Sequence, residues 1–312
     1  MKHDELRLVA DCLSVLAMMF HPLERTSWRF HRRLLPIALA GLLISHMAIA
    51  SETVHFESAV PPPSALKIRL AQESGEPVAP EPAIEIGGEL YRPDGDGPFP
   101  AIVVLHGSNG RALISERITA ARFISWGYVY LAVDSFGSRS ESRIGDYAQF
   151  RQASADVEMD ALGALEFLAT KPFINADHVG VLGFSFGGGE ALQVVSTDGP
   201  REIVRHQFKA AIAYYPSPCA AARSVAAPTL ILVGELDDAA PASVCRGVLA
   251  HPDDGTAPVK LVVYPDAYHD FDKPNLSGDG VVSHGRHYRY NEAADHAAVD
   301  EVREFVRQKL GQ

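Results

Sequence analysis

The chain has 312 residues, 47% hydrophobic and 21% charged, which is ordinary globular composition and excludes a disordered or fibrous protein. No period of roughly 20 to 50 residues recurs, which argues against a solenoid or propeller, and the length suits one large domain or two small ones. Lysine and arginine number 28 against 39 acidic residues, and the net charge of −11 argues against nucleic acid as a partner.

The first fifty residues stand apart. "RFHRRLLPIALAGLLISHMAIA" opens on Arg29, Arg32 and Arg33, runs through an apolar stretch from Leu34 to Ile44, and closes on Ala48-Ile49-Ala50. A basic start, a short apolar core and an A-x-A end form the pattern of a secretory signal peptide, which predicts cleavage before Ser51. The stretch upstream is too long and mixed for such a leader, which points to a translation start near Met18 or Met19. An uncleaved anchor is the alternative, because the apolar stretch sits at the short limit for a membrane span. His46 and the A-x-A end favour cleavage. On that reading the protein is periplasmic or secreted and meets a membrane only transiently, through its signal peptide.

Export changes how the cysteines read. Cys12 would leave with the leader, and Cys219 and Cys245 would stand in an oxidising compartment. The expectation is a disulfide closing a loop worth about 3 kcal/mol; two buried free thiols are the alternative. Neither cysteine lies in a C-x-x-C or zinc-type spacing.

Residues 51–82, "SETVHFESAVPPPSALKIRLAQESGEPVAPEP", read as an extended, proline-rich lead-in with one edge strand at Leu66 to Leu70. The folded domain is expected over 83–312. "AIEIGGELYRP" is a strand or hairpin closed by the turn "PDGDGPFP". "AIVVLHG" is a continuous apolar run, as for a strand buried on both faces. Residues 113–125 have helical spacing, "YVYLAVD" is a second buried strand, and residues 153–169 form a longer amphipathic helix. "HVGVLGF" is a third strand, followed by a helix over 186–196. "FKAAIAYYP", "PTLILVGELDD" and "VKLVVYPDAYH" are the fourth, fifth and sixth strands, and "AADHAAVDEVREFVRQKL" is a closing helix. Strand and helix alternate throughout, which predicts an α/β fold: a mainly parallel central sheet with helices on both faces. Ligands bind outside the carboxyl ends of such strands. Neither a P-loop nor a dinucleotide fingerprint follows the first strand, which leaves nucleotide binding without support.

At one of those strand ends, "GVLGFSFGGG" sets Ser185 between Gly183 and Gly187, the G-x-S-x-G of a nucleophile elbow. The competing reading is a plain strand–helix junction lined with small residues. Asp237 and Asp238 follow the fifth strand and His269 follows the sixth, giving the order Ser, Asp, His of the α/β-hydrolase triad. A serine hydroxyl is a poor nucleophile at neutral pH. An imidazole must take its proton, and a carboxylate must hold that imidazole in the right tautomer. Asp237, nearest the strand end, is favoured for the carboxylate over Asp238, which would cap a helix or support the site. Asp266 and Asp270 read as surface turn residues. A zinc site from His269, His284 and His287 is the competing use of the histidines, but the spacing fits no known ligand pattern.

Attack on a carbonyl also needs N–H donors for the oxyanion. One is expected from the backbone of Phe186, at the start of a helix. The second is expected from the "HGSNG" loop after the first strand: Ser108, with Gly107 and Asn109 as alternatives. His106 would orient that loop. The loop over 273–291 is long and polar and is expected at the substrate mouth.

Over about 85–310 the chain resembles the dienelactone hydrolase family of the α/β-hydrolase superfamily. The carriers are "LYRPDGDGPFPAIVVLHGSNG", "VDSFGSRS", "GVLGFSFGG", "AYYPSPC", "LVGELDDAAP", "YPDAYHDF" and "YNEAADHAAVDEVREF". The resemblance implies a nucleophile at Ser185, an aspartate at Asp237, four before Pro241, a histidine at His269 and an oxyanion donor at Ser108. It also sets Arg139 near a family arginine that contacts a substrate carboxylate, against the alternative of a solvated loop arginine. Two positions depart from the family. Serine replaces the founding members' cysteine, and Gly107 stands where they carry a glutamate. The resemblance therefore implies the serine-bearing, exported, esterase-like branch. The expected function is hydrolysis of a small ester or lactone through an acyl-enzyme, with no cofactor or metal. A peptidase or amidase on the same triad, or an exported binding protein with a relict triad, are the alternatives.

Overall fold

The structure is a computed structural model that describes residues 50–78, 81–141, 144 and 147–311. The expected signal segment falls outside the described residues except for Ala50. Eight strands form one sheet: β1 (Ser51–Glu57), β2 (Glu85–Tyr91), β3 (Phe99–Leu105), β4 (Val129–Asp134), β5 (Ile174–Phe184), β6 (Ala210–Tyr214), β7 (Thr229–Gly234) and β8 (Val259–Tyr264). Their spatial order is β1-β2-β4-β3-β5-β6-β7-β8. The pairs β1/β2 and β2/β4 are antiparallel, and every pair from β4 through β8 is parallel. The apolar runs at the centre are inaccessible from either face; in β7 all of Thr229–Gly234 is buried. Each fully buried Leu, Ile or Val there contributes about 1.5–3 kcal/mol.

Helices cover both faces. On one face lie α2 (Leu113–Ser125) and α6 (Glu292–Leu310), which bury Phe123, Val302 and Val306 against Ile102, Leu182 and Leu230. On the other lie α3 (Tyr147–Ala169), α4 (Phe186–Gln193) and α5 (Ala242–Leu249). Leu162 and Leu165 of α3 and Ala191 of α4 pack there against Val103 and Val181. Cys219 and Cys245 are both buried and form a disulfide, Cα atoms 5.4 Å apart, joining α5 to the loop after β6. Among the described residues no helix is long and apolar enough to cross a membrane.

The lead-in differs from expectation. Leu66 to Leu70 is not an edge strand but part of α1 (Ala65–Ser74), whose first turn is capped by Ser64 accepting the Lys67 N–H at 3.2 Å. Pro61, Pro62 and Pro63 precede that cap, where a missing N–H costs no helical bond. The edge strand is β1, paired with β2 from Ser51↔Tyr91 to Glu57↔Glu85, with Val54 and Phe56 on its buried face. The segment before residue 83 therefore supplies part of the sheet, and the extended lead-in is limited to the stretches around α1.

The order of the strands decides where a ligand can sit. The chain moves from β3 outward to β4, then returns to place β5 on the other side of β3. A crevice opens at such a reversal, outside the carboxyl ends of the strands. Leu105 pairs with Gly183, so the loop after β3 and Ser185 after β5 leave the sheet side by side.

Candidate active site

Ser185 occupies φ 52°, ψ −114°, a left-handed conformation unusual for a residue with a side chain. Such strain costs on the order of 1–3 kcal/mol and persists only where the surroundings hold it. Here the Ser185 N–H donates to Tyr214 O at 3.0 Å, and the Ser185 carbonyl accepts from Ser217 and Gly189 N–H at 3.0 and 3.1 Å. The flanking glycines are required by contact. A Cβ at Gly183 would lie 1.9 Å from Gly187 O, and one at Gly187 would lie 2.5 Å from the carbonyl oxygens of Leu105 and His106. A plain strand–helix junction needs neither approach.

The elbow turns the Ser185 hydroxyl toward His269. Its Oγ lies 2.9 Å from His269 Nε2, and His269 Nδ1 lies 2.8 Å from Asp237 Oδ2. Asp237 is in turn fixed by Ala239 and Ala240 N–H groups, which donate to its Oδ1 at 2.9 and 2.6 Å. His269 and Asp237 are 3% and 4% exposed, so their bond is shielded from water, whereas Ser185 faces a cavity. The Tyr215 ring packs on the imidazole at 4.4 Å between centroids, and Tyr288 meets it edge-on at 5.5 Å. Asp238 points elsewhere: it accepts from His287 N–H at 2.9 Å and lies 2.7 Å from His287 Nδ1 at the surface. His284 Nδ1 lies 3.0 Å from Ser283 Oγ, so the three histidines considered for a metal are committed to separate partners. Among the described residues no group of three or more His, Cys, Asp or Glu is placed to hold a metal ion.

The cavity has a volume of about 220 Å³ and is walled by the loop after β3, by α2, and by the segment after His269. The Phe186 N–H opens α4 and has no intrahelical acceptor. In the loop after β3, Gly110 N–H donates to Gly107 O at 3.1 Å, closing a turn with Ser108 and Asn109 at its tip. The first tip residue of such a turn has no turn bond for its N–H. The Ser108 carbonyl is occupied by Ile144 N–H at 3.0 Å, and Ser108 lines the cavity. His106 places its Nδ1 2.9 Å from Gly107 O and its ring edge-on to Phe136. Burial lowers its pKa, so a neutral imidazole braces the loop, as its position before the glycine implied.

Arg139 does not reach the cavity. It closes a short 3-10 turn, Gly137–Arg139, and pairs in a two-pronged manner with Asp160 of α3 at 2.7 and 2.9 Å. Its Nη1 also donates to Ser135 O at 2.9 Å. It is not a solvated loop arginine; its pairing with Asp160 ties the loop after β4 to α3. Asp270, expected as a surface turn residue, lines the cavity beside Lys273 and Asp272. Arg111 and Glu116 on the cavity wall, and Tyr215 beneath His269, were not singled out in the sequence. The one available signal for Arg111 was its place directly after "HGSNG".

Residues 86–310 match the model of the dienelactone hydrolase family. The chain belongs to that family. Among relatives of this dienelactone hydrolase-family protein, acylamino-acid-releasing enzyme 1 of Oryza sativa subsp. japonica is 28% identical over 232 residues, covering 60% of this chain and 29% of the relative. Cutinase est1 of Thermobifida alba is 29% identical over 162 residues, covering 50% of this chain and 49% of the cutinase. The chain thus spans half or less of the length of either. Among solved structures, the dienelactone hydrolase-like promiscuous phosphotriesterase P91 from metagenomic libraries superposes with a TM-score of 0.62 at 18% identity. That match covers 84% of this chain and all of P91, and it shows the α/β-hydrolase fold.

Proposed function

We propose that this family member is a serine hydrolase that cleaves a small carboxylic ester or lactone through an acyl-enzyme. The observation that carries the reading is the bonded series Ser185–His269–Asp237 with a strained serine at the cavity floor. In the proposed reaction His269 Nε2 takes the Ser185 proton as Oγ attacks the carbonyl carbon. Asp237 holds Nδ1–H and stabilises the imidazolium. The Phe186 and Ser108 amides receive the oxyanion. Collapse of the tetrahedral intermediate breaks the carbonyl–oxygen bond, and His269 returns the proton to the leaving alcohol. Water, deprotonated by the same imidazole, then attacks the acyl-enzyme and releases the acid and Ser185. Every proton stays within this relay, so the sequence needs no cofactor. The cavity of about 220 Å³, open to solvent on one side, is of a size that suits small acyl groups.

The ester-hydrolysing reading has the family and the similarity to a cutinase on its side. The test is turnover of p-nitrophenyl acetate and butyrate by the purified protein and by Ser185→Ala. Activity lost in a folded variant supports a serine esterase. Equal turnover in both sinks it, and turnover of acylated peptides instead favours the amidase alternative.

We further propose that the protein is exported and works in the periplasm or outside the cell. The leader-like pattern before Ser51, the start of β1 at that residue, and the Cys219–Cys245 disulfide support this. Amino-terminal sequencing of protein from its native cell should begin at Ser51. A retained leader on membrane-bound protein supports the anchor alternative instead of cleavage, and a cytoplasmic location overturns export.

A further inference from the structure

The cavity walls carry an unusual arrangement of charge. Arg111 follows the loop after β3, and Glu116 lies in the first turn of α2. Glu116 accepts from Arg111 Nε at 2.8 Å and Nη2 at 2.6 Å, the side-on pairing that a guanidinium otherwise offers to a ligand carboxylate. The Tyr91 hydroxyl donates to the same Glu116 oxygen at 3.1 Å and holds it in place. A second carboxylate, Asp134, stands 3.8 Å from Arg111 Nη1. One cation thus faces two anions. Both side chains of the main pair are sheltered, Arg111 at 14% and Glu116 at 8% exposure, so solvent screens them weakly.

The other cation on the wall is Lys273, and its Nζ lies 2.6 Å from Asp270. Asp272 adds a further carboxylate next to it. Among the described residues lining the cavity, each lysine or arginine is therefore already matched, and carboxylates are in excess. Arg139 lies outside the cavity. A substrate carboxylate entering here would lose water, find no free guanidinium, and face anions, a combination that disfavours it in a sheltered site.

We propose that the cavity selects esters whose acyl chain is uncharged, and that Glu116 is the residue that sets this specificity by occupying Arg111. The inference rests on the serine hydrolase reading and names the substrate class of that same site. Glu116 bonds to Arg111 and Tyr91 and not to Ser185, His269 or Asp237; it acts by cancelling a cation that would otherwise recruit acids.

The experiment compares p-nitrophenyl butyrate with mono-p-nitrophenyl succinate, in which a terminal carboxylate replaces the methyl group, with spontaneous hydrolysis subtracted. The purified wild-type protein should show kcat/KM higher for the butyrate by about a hundredfold. In Glu116→Gln the amide oxygen still accepts, but the charge is gone, and that ratio should narrow by about tenfold through faster succinate turnover. Asp134→Asn, further from the guanidinium fork, should narrow it less. Wild-type rates on the two esters within about threefold overturn the proposal, as does an unchanged ratio in both folded variants. If wild type turns over neither ester, the hydrolase reading falls and takes this inference with it. Butyrate turnover lost in Ser185→Ala, together with equal succinate turnover in wild type, sinks the specificity claim alone.

Discussion

The Tyr215 ring lies against the His269 imidazole, centroids 4.4 Å apart, while its hydroxyl donates to Asp272 Oδ1 at 2.6 Å. One fully buried side chain thereby supports the histidine and satisfies a carboxylate on the cavity wall. Tyr215→Phe keeps the ring and removes the donor. The expected result is a loss of about 1–3 kcal/mol in unfolding free energy, with kcat on a neutral ester changed far less. A denaturant titration read beside steady-state kinetics checks this; a large fall in kcat at unchanged stability would contradict it.

Asp272 should make stability depend on pH. Loss of water around its carboxyl pushes the pKa up to about 6 from an ordinary value near 3.8. Between those values the folded state holds a proton that the unfolded chain has released. Its contribution therefore favours the folded state most below about pH 4, declines as pH rises toward 6, and is constant above. Asp272→Asn cannot titrate, so its stability relative to wild type should climb from pH 4 to 6 and then level. Thermal midpoints of both proteins across pH 4–8 decide it, and a flat difference would rule it out.

Substitution tests the proposed orienting role of Asp237 against its neighbour Asp238. If the proposed triad operates, Asp237→Asn presents the wrong group to His269 Nδ1 and should lower kcat on the order of a thousandfold or more. Asp238→Asn breaks only an exposed pair with His287 and should leave kcat within about threefold. Equal losses in the two variants would show that the bonded series is not the working one.

A second pair of acids lies away from the cavity. Glu158 of α3 faces the buried Glu190 of α4, the helix that begins at the elbow, and Ser154 donates to Glu190 at 2.5 Å. Burial and the neighbouring Glu190 push Glu158 up to about 8. The folded state again holds the extra proton, so stability is greatest below about pH 4.5 and is lost as pH rises toward 8. Glu158→Gln should stabilise the protein at pH 8–9 by on the order of 1–2 kcal/mol, with the gain shrinking at lower pH. Thermal melts at pH 5 and pH 9 provide the check, and equal shifts at both would disprove it.

Much of this molecule is written in local pattern. Continuous apolar runs at β3, β4, β6 and β7 can satisfy their backbones and bury both faces only inside a parallel sheet, so the fold class follows from the runs. The spacing of Gly183, Ser185 and Gly187 is equally local, because the clash that demands glycine involves a turn of a few residues. Ser185, Asp237 and His269 could be named because each ends a strand, and strand ends of such a sheet share one edge.

What tertiary structure alone decided depends on partners distant in the chain. Leu66 and Leu70 carry an apolar pattern that suits a strand or a helix, and pairing with β2 went to Ser51–Glu57 because Val54 and Phe56 could be buried there. Arg139 has the same chemistry whether it meets a substrate or Asp160; the packing of α3 chose Asp160. Arg111 became neutralised through Asp134 at the end of another strand as well as Glu116 nearby. Charge and hydropathy tell what a side chain needs, whereas the three-dimensional arrangement determines which neighbour supplies it.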